Sequence, residues 1–102
     1  WRIAQTSFDQ IMDRELPDEA RQRIHDVVMG HPEVRDMHDL RTRASGSNSF
    51  IQLHLELDGE MTLMRAHTIA DEVELKVKLA FPGAEVLIHQ DPEGLEVPPV
   101  FE

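Results

Sequence analysis

From Phe50 to Leu57 the chain alternates without a break, and this stretch constrains the fold more than any other. Ile51, Leu53, Leu55 and Leu57 fall on one side, while Phe50, Gln52, His54 and Glu56 fall on the other. Successive side chains on a strand point to opposite faces, so this is a strand with one side made for a core. A sheet with one apolar face needs a covering layer. The flanking sequence supplies helical stripes for it. Ala20, Ile24, Val27 and Val28 form one stripe, from Asp18 as the expected N-cap to a stop at Gly30 and Pro32. Ala66, Ile69, Ala70, Val73, Val77 and Ala80 form the other, on a helix expected from Glu60 to Leu79 and ended by Phe81-Pro82-Gly83.

The remaining segments follow. Val34 to Arg43 alternates irregularly, and Ala44 to Ser49 reads as a turn, so this segment and Phe50–Leu57 are expected to pair as a hairpin. A last strand is expected from Ala84 to His89. Residues 1–16 read as a short helix through Ile3, Phe8, Ile11 and Met12 that stops before Pro17, and the Pro-rich end of the chain reads as an unstructured tail. The order is helix, helix, strand, strand, helix, strand. It predicts an α+β domain with a three-stranded sheet and helices on one face.

Composition narrows the partners. A chain of 102 residues is one domain. Ten Lys and Arg against twenty Asp and Glu give a net charge of −10, which disfavours nucleic acid and anionic membrane and favours cations. No cysteine is present, so neither disulfides nor thiolate metal sites arise. Apolar runs are too short to enter a bilayer. A start at Trp1 rather than Met leads us to expect a fragment of something longer.

His89-Gln90-Asp91 at the close of the last strand places an imidazole and a carboxylate on one side, a pair suited to a divalent transition metal. His38, His54 and His67 sit on three other elements. His54 lies on the strand face turned away from the leucines, and His67 lies on the flank of its helix beside Leu63, about 100° from the centre of the apolar stripe. A surface histidine is the ordinary outcome for any one of them, but convergence at one end of the sheet would make a site. His25, off its helix stripe, and His31, in a loop, are read as ordinary histidines. Asp71, Glu72, Lys76 and Lys78 are read as solvated positions. His-Glu-x-x-His spacing is missing, and with it the general base that a metal hydrolase needs, so an enzyme is not expected.

Several blocks carry a family resemblance. Leu16-Pro17-Asp18-Glu19, His38-Asp39-Leu40-Arg41-Thr42-Arg43, Phe50 to Glu56, Ala66-His67, and Phe81-Pro82-Gly83 with Ile88-His89-Gln90-Asp91-Pro92 resemble the cytoplasmic C-terminal domain of cation diffusion facilitators. The ferrous-iron and zinc efflux subgroup of bacteria is the nearest match, from about Asp13 to Pro92. The resemblance implies a metallochaperone-like (ferredoxin-like) αββαβ fold. It implies a homodimer working with its own transmembrane domain at the cytoplasmic face of the inner membrane, in a divalent cation/proton antiporter.

The implied metal ligands are His38, His54, His67, His89 and Asp91, with Asp91 bridging two ions. Zn²⁺ is the leading ion, and Fe²⁺, Cd²⁺, Co²⁺, Ni²⁺ and Mn²⁺ are alternatives. Asp13 would lie near the membrane-facing hinge. Residues 1–16 would link to the last membrane span, 17–92 would form the regulatory domain and 93–102 the tail. Two rival readings stay open: a dimerisation domain that never loads metal, and a free-standing metal carrier.

Overall fold

The computed structural model describes residues 15–94, as α1 (Asp18–Met29), β1 (Asp36–Ser45), β2 (Asn48–Leu57), α2 (Leu63–Ala80) and β3 (Ala84–Pro92). Residues 1–14 of the helix expected before Pro17, Asp13 among them, and the tail beyond Gly94 lie outside those residues. Glu15 and Leu16 are not helical, and Leu16 N–H donates to Thr42 Oγ1 at 3.1 Å. Among the described residues no helix is long and apolar enough to cross a membrane.

The sheet has the order β1-β2-β3, with β2 in the centre. β1 runs antiparallel to β2, and β3 runs parallel to it. A parallel neighbour needs a crossover, and α2 supplies it. The expected faces of β2 are the observed ones. Ile51, Leu53, Leu55 and Leu57 are at most 2% exposed and pack with Ile24 and Val28 of α1 and Ile69, Val73 and Val77 of α2. Both helices therefore cover one face of the sheet, and among the described residues the other face is left bare. The architecture is the α+β sandwich that the sequence predicts.

Several boundaries differ from the sequence reading. Pro17, not Asp18, is the N-cap of α1, and no side chain caps it. Asp18 and Glu19 occupy the first turn instead, where their charge complements the helix dipole. The expected turn of six residues narrows to Gly46-Ser47, because both strands extend into it and Gly46 takes the required left-handed φ of 62°. α2 begins at Leu63 rather than Glu60, since Thr62 accepts a bond from Arg65 N–H and fixes the start there. β3 continues through His89-Gln90-Asp91 to Pro92, because β2 offers partners as far as Leu57.

The irregular alternation of β1 has a physical cause. His38 pairs with His54 and Arg41 with Gln52, so Asp39 and Leu40 together face the single residue Leu53. This is a β-bulge, and Asp39 adopts φ 53° within it. Leu40 packs against the core, while Thr42 beyond the bulge is buried.

Candidate metal centre

The register sets the histidines in a row. His38 of β1 lies opposite His54 of β2, and His54 lies opposite His89 of β3. All three belong to the bare face. Ring centroids are 4.9 Å apart between His38 and His54, and again 4.9 Å between His54 and His89. Asp91, two residues beyond His89 on the same strand, returns to that face. Its Oδ2 lies 2.9 Å from His54 Nδ1 and 3.4 Å from His38 Nε2.

His38, His54 and Asp91 thus offer ligand atoms that all lie within 4.8 Å of one another. Donors bound at about 2.0–2.1 Å to one tetrahedral Zn²⁺ stand roughly 3.3 Å apart. The triad is already close to that spacing. Its side chains are 20–39% exposed, sheltered enough to hold an ion and open enough to admit one. Imidazole nitrogen with carboxylate oxygen is a borderline donor set that suits first-row dications. The residues fit a divalent metal.

His89 is exposed and stands next in the row, with its ring beside that of His54. His67 is elsewhere in this chain. It projects from α2, which covers the opposite face of the sheet, and its exposed Nε2 lies 3.2 Å from Asp71 Oδ2 one turn on. The chain therefore brings three of the five expected ligands into one cluster, sets His89 beside them and leaves His67 apart.

Two carboxylates beside the triad escaped the sequence reading. Glu56 Oε2 lies 3.0 Å from His38 Nδ1, and Asp39 Oδ2 lies 3.7 Å from His54 Nε2. Glu56 had a signal, because it shares the bare strand face with His54. Asp39 had none, because simple alternation places it on the face opposite His38. The Arg41 guanidinium, which donates to Asp39 Oδ1 at 3.1 Å, holds the Asp39 carboxyl below the usual aspartate range, and the nearby His54 and His38 add to the effect.

The two histidines set aside as ordinary have different surroundings. His25 is exposed, 3.7 Å from Asp26. His31 is buried: its Nδ1 accepts from Glu33 N–H at 3.1 Å, so its Nε2 carries the proton and donates to Glu72 at 2.7 Å. Glu72 is thus more than a solvated position on its helix. The bond from His31 lowers its pKa, as the Arg65 guanidinium lowers that of Glu33.

The description of cation efflux protein, cytoplasmic domain, fits residues 16–93 of this chain. The cation-efflux pump FieF of Serratia proteamaculans is 52% identical over 91 residues, which are 89% of this chain and 30% of that protein. The chain therefore spans less than a third of the length of such relatives. A zinc form of CzrB, described as a candidate zinc transporter, is 36% identical with a TM-score of 0.70, covering 85% of this chain and all of that one. The metal-bound C-terminal domain of the CzcD transporter from Thermotoga maritima is 26% identical with a TM-score of 0.73, over 78% of this chain and 93% of that one.

Proposed function

This chain belongs to the cation efflux protein family as its cytoplasmic domain, and from that premise we propose that it is the dimerisation and metal-sensing part of a divalent cation/proton antiporter that exports zinc or ferrous iron. The observation that carries this reading is the His38–His54–Asp91 triad, with its ligand atoms within 4.8 Å. Zn²⁺ is the leading ion, in keeping with the zinc form of the CzrB relative. Fe²⁺, Cd²⁺, Co²⁺, Ni²⁺ and Mn²⁺ satisfy the same donors.

The proposed ligand set is His38, His54, His67, His89 and Asp91, with Asp91 bridging. His67 stands on the far layer of its own chain, so it reaches the centre of a second subunit more readily than its own. The complete set then belongs to a homodimer. Residues 17–92 form the regulatory unit, residues 1–16 connect it to a membrane span at the cytoplasmic face of the inner membrane, and residues 93–102 are the tail.

Charge gives the coupling. Each chain carries −10, so two chains repel, and each dication bound near their contact offsets part of that repulsion. An ion that binds the closed dimer more tightly than the open one shifts the population toward closure. The segment before Pro17 would relay that shift to the membrane part.

Isothermal titration with Zn²⁺ tests the assignment. His54→Ala, His89→Ala and Asp91→Ala should each weaken binding greatly, and His25→Ala should leave it unchanged. A ligand present at a hundredfold excess over its Kd adds about 2.7 kcal/mol of stability. For a domain of this size the melting temperature should rise on the order of 10 °C. Spin-label distances across the dimer should shorten in the same titration. A second reading has its own support, because protein hydrogen bonds engage both histidines of the triad, His54 to Asp91 and His38 to Glu56. A dimer whose spacing and melting ignore saturating Zn²⁺ would leave it a structural dimerisation domain.

A further inference from the structure

Each imidazole of the triad has a second nitrogen, and each second nitrogen faces a carboxylate of its own. His38 turns Nε2 toward Asp91 and Nδ1 toward Glu56. His54 does the reverse, with Nδ1 toward Asp91 and Nε2 toward Asp39. Neutral imidazole has one N–H and one lone pair. An ionised carboxylate accepts only, so Glu56, 3.0 Å from His38 Nδ1, draws the N–H to that side and leaves Nε2 free to bind an ion. His54 Nδ1 is hydrogen-bonded to Asp91 at 2.9 Å, so an ion held by Asp91 and Nδ1 would send the proton to Nε2, where Asp39, 3.7 Å away, would close in to accept it.

We infer that Glu56 and Asp39 are positioning residues of this centre, holding His38 and His54 in opposite tautomers so that His38 offers Nε2 and His54 offers Nδ1 to a dication beside Asp91. The inference rests on the reading that the triad binds metal. Glu56 reaches its place by plain alternation, two residues beyond His54. Asp39 reaches its place only through the bulge. In a regular strand it would point to the helix side; the extra residue and φ 53° turn its carboxylate back to the bare face. A left-handed backbone is uncommon outside glycine, though aspartate is among the residues that adopt it. Leu40 then takes up the core-facing place that Asp39 leaves. Arg41 occupies Oδ1 and leaves Oδ2 turned to His54.

Zinc affinity, measured by competition with a chromophoric chelator, tests this on the full chain. The variants are Glu56→Gln, Asp39→Asn and His54→Ala; asparagine tolerates the left-handed backbone, so the bulge is kept. Loss of a carboxylate behind a metal-bound histidine weakens binding roughly 10- to 100-fold. Glu56→Gln should lie near about tenfold, and Asp39→Asn should be weaker by several-fold, in keeping with its longer separation. Nitrogen-15 spectra of the imidazoles in zinc-loaded wild-type protein should place the proton on Nδ1 of His38 and on Nε2 of His54. These spectra need no variant to fold. Like tautomers in the two rings, or unchanged affinity in both carboxylate variants while His54→Ala loses zinc, would overturn the inference and leave the metal centre standing. Unchanged zinc binding in His54→Ala would overturn the metal centre, and this inference with it.

Discussion

The two faces of one sheet carry different kinds of residue, separated only by the alternation of the strands. Ile51, Leu53, Leu55 and Leu57 lie under two helices and are sealed from water. His54 and Glu56, their immediate neighbours along β2, face the open side with His38 and Asp91. Stability is concentrated on the first face and the candidate metal ligands on the second. Adjacent residues in sequence should therefore fail in different ways when replaced.

The largest expected effect comes from the covered face. Leu53→Ala removes a fully buried side chain and should destabilise the domain by about 2–5 kcal/mol. That corresponds to a fall in Tm of roughly 10–20 °C or more. Zinc affinity of the folded variant, titrated at low temperature, should stay within about twofold of wild type, taking additivity of separate sites as the guide. A parallel collapse of zinc binding would break the separation of the faces.

The open face should respond to acidity instead. Neutral imidazole is the ligand and protons compete for the same nitrogen, so zinc affinity should fall steeply between about pH 7 and pH 5.5. Titrations at several pH values measure it. A flat profile would remove the histidines from the ligand set.

A smaller effect is expected away from both faces, at the polar brace between the loop after α1 and helix α2. His31→Ala deletes the partner of Glu72 and the acceptor of Glu33 N–H, and should reduce stability by about 1–3 kcal/mol. Chemical denaturation measures it, and zinc affinity should not change. A loss of zinc binding here would mean that a buried histidine on the helix side also serves the metal.

The smallest effect concerns acid. Glu33 and Glu72 have carboxyl groups held below the ordinary glutamate value of 4.5 by Arg65 and His31. Groups with lowered values stabilise the fold above the ordinary value and lose that contribution as pH falls through the lowered one. The acid limb of a stability profile should accordingly begin below pH 4.5 and be shallower in Glu72→Gln. A limb of unchanged steepness would show that the brace adds nothing through its charge.

What the sequence discloses follows from which forces are local. The period-two pattern of β2 and the helical stripe of α2 are local, and both appear in the structure, with Ile69, Ala70, Val73 and Val77 buried and Ala66 and Ala80 half-buried at the ends of the stripe. The face of His54 follows from that same pattern. The register that puts His38 opposite His54 depends on hydrogen bonds across the hairpin, and the bulge at Asp39 breaks the counting rule that would predict it. Glu56 was within reach, two residues from His54, yet its role appears only with His38 beside it. His67 was legible as a flank residue of a helix on the layer opposite His54, and the structure keeps the two apart.

The parallel pairing of β2 with β3 has a consequence for the order of events in folding. A hairpin of β1 and β2 closes over a short loop and needs only neighbouring residues. It would bring His38 and His54 together on its own. Asp91 arrives from β3, after the chain has passed through the whole of α2 and docked its final strand. A partly folded chain offers two imidazoles without their carboxylate, a weak and incomplete trap. The three candidate ligands thus come together only once the last strand has docked.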